Sequence, residues 1–97
     1  MQPNDEKSIQ FSKTVQFSKT VGELVKELRL TNTNKSLNKL ADEYDISRAT
    51  LSKLENGIHH CKFITIWQLS EALGIKCSEL VKILEEKLGD DFSLIDE

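Results

Sequence analysis

Apolar residues return at intervals of three and four through most of this chain, the spacing of one face of an α-helix. Phe17, Val21, Leu24, Val25 and Leu28 form the first such face, and Thr20 with Glu23 three residues later reads as a capping box that opens the helix. The helix runs to about Leu30 and stops in the polar stretch Thr31-Asn32-Thr33-Asn34. Ser36 caps a second helix of about two turns, whose stripe is Leu37, Leu40, Ala41 and Tyr44. Ser47 caps a third, with Leu51 and Leu54 inward and Asn56-Gly57 as a left-handed stop. Phe63, Ile66, Trp67, Ser70 and Leu73 trace a fourth that ends at Gly74. A fifth carries Cys77, Leu80, Val81, Leu84 and Leu88 and closes at Gly89. Five short helices on short loops share one core only by crossing steeply, so the pattern predicts an all-α, orthogonal five-helix domain.

Upstream the pattern changes. Gln10-Phe11-Ser12-Lys13-Thr14-Val15 is repeated as Gln16-Phe17-Ser18-Lys19-Thr20-Val21, two copies too short for a solenoid. Read at period two, the repeat permits a half-apolar strand; read at helical spacing, its second copy joins the first helix. An isolated strand is not stable in water, so residues 1–19 are expected to be a mobile arm, residues 20–88 the folded domain and residues 89–97 an acidic tail.

At 97 residues, 38% of them apolar, there is material for one modest core. No apolar run approaches a membrane span, and the start lacks the basic and apolar regions of a signal peptide. The expectation is a soluble cytoplasmic protein. Cys61 and Cys77 are too few for a disulfide framework and are expected to be free thiols. The net charge of −3 conceals a division: residues 1–62 carry +2 and residues 63–97 carry −5. An anionic partner would meet the first two thirds.

The informative segment is Leu37 to Gly57, in which Leu40, Ala41, Tyr44, Ile46, Leu51 and Leu54 point inward and about three residues separate two helical patterns. That is a helix-turn-helix. Ala41 is small enough for the second helix to approach, and Asp45 occupies the place where the turn needs a positive φ. The segment resembles the phage-repressor and Cro type of helix-turn-helix, the xenobiotic-response-element-like bacterial regulators, across about residues 20–88. The pieces that carry the resemblance are Val21-Gly22, Leu28-Arg29, Ser36 with Leu40-Ala41, Ile46-Ser47-Arg48, Leu51 to Gly57, Ala72-Leu73-Gly74-Ile75 and Glu79-Leu80, in family order and spacing.

The resemblance implies a lambda-repressor-like fold whose third helix lies in the major groove of double-stranded DNA. Carried over position by position, Arg48, Ala49, Ser52 and Lys53 become the base readers, with Thr50 ranked below them because it turns partly towards the core. Arg48 leads, since a guanidinium gives two parallel hydrogen bonds to guanine O6 and N7. Phosphate contacts fall to the backbone amides of Ser36 and Leu37, the Ser47 hydroxyl, Lys53 where it swings outward, Asn56, His59, His60 and Lys62. Many relatives have Gln where this chain has Leu37, so one side-chain phosphate contact is expected to be missing. Glu55 is expected to pair internally with Arg29, as the family implies.

Other chemistries are weaker. His59-His60-Cys61 with Cys77 lacks the spacing of a metal site, so no metal or cofactor is expected, and Cys77 is read as an ordinary buried thiol. No catalytic motif is present, and no enzyme activity is expected. Phe63 and Trp67 suit a core face better than base stacking. The acidic last third should face away from phosphate, and its surplus apolar residues Ile83, Phe92, Leu94 and Ile95 suggest a homodimer contact through helix five or the tail, or a docked protein. The function expected is a repressor on a partly palindromic operator. The alternatives are an antitoxin that also binds DNA, and an interaction module that has lost DNA binding.

Overall fold

Tertiary contact lengthens the first helix beyond what its capping signals predict. In the computed structural model, which describes residues 13–58 and 60–95, helix α1 spans Lys13–Leu28. It takes in the whole second copy of the repeat and the end of the first, including residues 13–19 that the pattern assigned to the arm. Residues 1–12 of that arm lie outside the described residues, as do His59, Asp96 and Glu97. Thr20 is therefore mid-helix, and its hydroxyl donates to the Gln16 carbonyl at 2.9 Å instead of capping with Glu23. The cause is downstream: Phe17 stacks on Phe92 with ring centroids 6.2 Å apart, and Ser18 is buried, so the preceding turn is recruited by packing.

After α1 the chain makes one wide π-type turn, Arg29–Thr33, ended by Asn34 at φ 55° with its N–H returned to the Arg29 carbonyl at 3.0 Å. Helix α2 spans Leu37–Glu43, and α3 spans Arg48–Glu55. Both predicted caps form: the Ser36 hydroxyl accepts from the Lys39 N–H at 3.1 Å and the Ser47 hydroxyl from the Thr50 N–H at 3.2 Å. Between the helices, Asp45 has φ 56° and the Ile46 N–H reaches back to the Ala41 carbonyl at 2.9 Å. This left-handed stop redirects the chain into α3.

Helix α3 ends in the same way at Gly57, φ 73°, with the Ile58 N–H on the Lys53 carbonyl. Helices α4 (Phe63–Ala72) and α5 (Cys77–Leu88) complete an all-α array of five helices, with no strand among the described residues. Helix α1 is central, packing on α3 and on α5; α2 packs on α3, and α4 on α5.

The core holds Val21, Val25, Leu40, Ala41, Ile46, Leu51, Leu54, Leu69, Ala72 and Leu73, with Leu37, Ile66 and Leu84 packed against it. Three predicted inward residues lie outside. Tyr44 is exposed, because the chain has already turned into the left-handed stop and its side chain leaves the α2 stripe. Phe63 is 67% exposed and Trp67 52%, and the Trp67 indole N–H donates to Glu71 Oε2 at 3.1 Å. Helix α4 buries its second half instead, through Leu69, Ser70, Ala72 and Leu73, so Phe63 and Trp67 project from its first turns. Cys77, read as buried, is only half-covered at the start of α5.

Candidate nucleic-acid interface

One face of α3 is occupied and the other is open. Leu51 and Leu54 are fully buried against α1 and α2, while Arg48, Ala49 and Lys53 are exposed and Thr50 and Ser52 are half-covered. The split follows from helical period: residues 51 and 54 take the inner face, leaving 48, 49, 52 and 53 on the outer arc. The four predicted base readers are thus brought together on one short helix whose first turn is capped by Ser47.

Two devices hold the far end of α3 on α1. Arg29 donates from Nε to Glu55 Oε2 at 2.8 Å and from Nη2 to Oε1 at 3.0 Å, the internal pair that the family resemblance implied. Its third nitrogen, Nη1, donates to the Lys35 carbonyl at 2.8 Å, so one guanidinium ties the entry to α2 to the end of α3. Both side chains are nearly buried, at 8% and 5% exposure. The carboxylate raises the Arg29 pKa further, and the ion stays charged. The second device is Gly22, where a Cβ would lie 2.4 Å from the Leu54 carbonyl oxygen and 2.7 Å from that of Glu55.

Arg48, the residue expected to lead base reading, has a partner that sequence reasoning did not assign. Its Nε donates to Asp42 Oδ1 at 3.2 Å and its Nη2 to Oδ2 at 2.8 Å, across the turn from the last part of α2. The two side chains remain 59% and 61% exposed. The spacing of six residues spans a left-handed stop, so neither helical nor strand periodicity pairs them. Lys35, just before α2, makes a further ion pair with Glu43 at the end of that helix.

The predicted phosphate ligands are more scattered. Ser36 and Ser47 are exposed at the starts of α2 and α3. The Leu37 side chain packs towards the core, which leaves only its backbone to the solvent side. Asn56 is exposed but its side-chain N–H closes α3 by donating to the Ser52 carbonyl at 2.8 Å. Lys62 is exposed, and exposed His60 borders an apolar groove of about 530 Å³ between α1, the start of α4 and α5. Cys61 lines the same groove, where burial pushes its thiol up to about 11. Among the described residues no three His, Cys, Asp or Glu side chains gather as a metal site.

The comparison with known proteins follows this geometry. A helix-turn-helix family model matches residues 25–80, from the last turn of α1 to the first turn of α5. Control protein C.BamHI of Bacillus amyloliquefaciens is 35% identical over 60 residues, which cover 62% of this chain and 74% of that protein. Control protein C.MunI of Mycoplasma sp is 32% identical over 66 residues, 68% of this chain and 89% of that protein.

Proposed function

Because the chain belongs to the helix-turn-helix family, and is thereby a DNA-binding transcriptional regulator, we propose that it represses transcription as a homodimer seated on a partly palindromic operator. The observation that carries this reading is the open arc of α3, capped by Ser47 and braced from behind by the Arg29–Glu55 pair. In it Arg48, Ala49, Ser52 and Lys53 read base edges: Arg48 a guanine, Ala49 a thymine methyl, Ser52 and Lys53 their neighbours. The amides of Ser36 and Leu37, the Ser47 hydroxyl, Asn56, His59, His60 and Lys62 bind phosphates and set register without choosing sequence. Repression needs only occupancy of the operator. The role is regulatory and not catalytic, it is exercised in the cytoplasm where the DNA is, and no described helix is long and apolar enough to cross a membrane.

Substitution tests the assignment. Arg48→Ala is expected to cost about 1–3 kcal/mol on a selected site and to relax preference at one base pair. Lys53→Ala removes a cation long enough to swing from base edges to phosphate, so part of its loss falls on all sequences alike and the salt dependence flattens. Fluorescence anisotropy against a site obtained by in vitro selection measures both. Parent-like binding by both variants would remove the groove assignment.

Pairing follows from affinity. One such module neutralises few phosphates, so two linked half-sites bind far more tightly than one. On α5 and the tail, Ile83 is half-covered and Phe92 is stacked on Phe17, which leaves Leu94 and Ile95 exposed. Phe63, Ile64 and Trp67 on the first turns of α4 are a larger surplus, and in our reading they join the tail in the contact. Sedimentation equilibrium should find a dimer at micromolar concentration for the parent and a shift towards monomer for Trp67→Asp. A parent that is monomeric at that concentration, with or without DNA, rules this arrangement out.

A further inference from the structure

We propose that Asp42 is a specificity-determining positioning residue, which takes one edge of the Arg48 guanidinium so that the other is offered, already oriented, to a single guanine. The inference rests on the reading of Arg48 as a base-contacting residue.

A guanidinium presents its five N–H groups in a plane, and two pairs of them are parallel: Nε with one hydrogen of Nη2, and Nη1 with the other hydrogen of Nη2. The Asp42 carboxylate occupies the first pair, through Nε at 3.2 Å and Nη2 at 2.8 Å. Either pair matches guanine O6 and N7, so with the first occupied the second is the one left to read them. Asp42 therefore leaves one base-reading edge open and fixes the rotation of the plane that carries it. The two residues sit on different helices, Asp42 in α2 and Arg48 at the first position of α3. Backbone sets the turn between them, through Asp45 at φ 56° and the Ile46 N–H bond to the Ala41 carbonyl, so the carboxylate is a fixed support.

Stability does not explain the pair. Both groups are mostly exposed, and exposed ion pairs contribute little to folding. A carboxylate beside a DNA-reading surface repels phosphate, so on charge alone its presence weakens binding to every sequence. What it returns is orientation: an unrestrained Arg side chain loses considerable rotamer freedom when a base immobilises it, and a side chain already held loses less. The surroundings match that role. Lys35, the cation just before α2, is engaged by Glu43, and Asp45 lies in the turn itself.

The test is Asp42→Asn in the full chain, with anisotropy titrations on a duplex carrying the selected site and on the same duplex with the Arg48-contacted guanine pair replaced by each other pair. The proposal expects discrimination for guanine to fall about tenfold, while affinity for the replaced duplexes holds or rises a few-fold as a negative charge is lost. In an Arg48→Ala background the same change should leave discrimination unaltered. Parent-like discrimination in Asp42→Asn, with Arg48→Ala abolishing it, overturns the proposal and leaves the reading of Arg48 standing. Sharper discrimination in Asp42→Asn also overturns it, since Asp42 would then be masking the arginine. If Arg48→Ala itself keeps the preference, the reading of Arg48 fails and the proposal falls with it.

Discussion

Glu55→Ala lowers the stability of the fold by about 3–5 kcal/mol, the scale for removing one partner of a buried ion pair. The loss is large because the Arg29 guanidinium stays behind, nearly buried, with two of its three hydrogen bonds removed and only the Lys35 carbonyl remaining. For a domain of this size each kcal/mol moves the Tm by roughly 4 °C or more, so a fall of at least about 12 °C is expected in thermal unfolding. The exposed Arg48–Asp42 pair supplies the contrast: Asp42→Ala should leave the Tm close to that of the parent. Geometry is similar in the two pairs and burial is not, so the ratio of the two losses measures the desolvation of the stranded partner. A Glu55→Ala loss below about 1 kcal/mol would mean that the pair is wetter than its exposure indicates.

Gly22→Ala is expected to destabilise by at least about 2 kcal/mol, against the ordinary preference of a helix for alanine. That preference favours the variant by about 1 kcal/mol. Opposing it is a methyl group 2.4 Å and 2.7 Å from two carbonyl oxygens of α3, both backbone, which cannot rotate away. Helices α1 and α3 must part, and overpacking of this kind costs about 1–3 kcal/mol, sometimes more. Displacement of α3 also moves the proposed base-reading arc, so DNA affinity should fall further than the population of unfolded protein accounts for. Urea unfolding with a parallel anisotropy titration separates the two effects. A variant as stable as the parent would show that the approach of α1 to α3 is looser than 2.4 Å implies.

The two devices bear on the same helix. Arg29 and Gly22 both act on the last turn of α3, while Ser47 and the Asp45 turn fix its first. A reading helix of eight residues makes too few intrahelical bonds to be stable alone, so its orientation is a property of what clasps its ends.

How much of this was legible in the sequence depends on the range of the interaction. The caps at Ser36 and Ser47, the positive φ of Asp45, the stop at Asn56-Gly57 and the inward Leu51 and Leu54 are set by residues within one or two turns of each other, and all are found where the pattern put them. The Arg29–Glu55 pair is longer in range and was implied by family resemblance, not by spacing. The start of α1 was misjudged because Thr20 and Glu23 offer a valid local cap, which the packing of Phe17 on Phe92 outweighs. Phe63 and Trp67 illustrate the opposite error: their spacing defines a face, but a face is buried only if another helix arrives to cover it.

By itself, then, the order of residues determined the five helices found among the described residues, where the helix-turn-helix lies, and which short segment carries the exposed polar arc. Tertiary structure alone decided that α1 extends upstream of Thr20, which end of α4 is covered, how closely α1 meets α3 at Gly22, and that Asp42 holds Arg48. The physical reason is that hydrogen-bonded turns and caps close within a few residues, whereas burial, close approach and cross-turn ion pairs exist only once helices distant in sequence have been brought into contact.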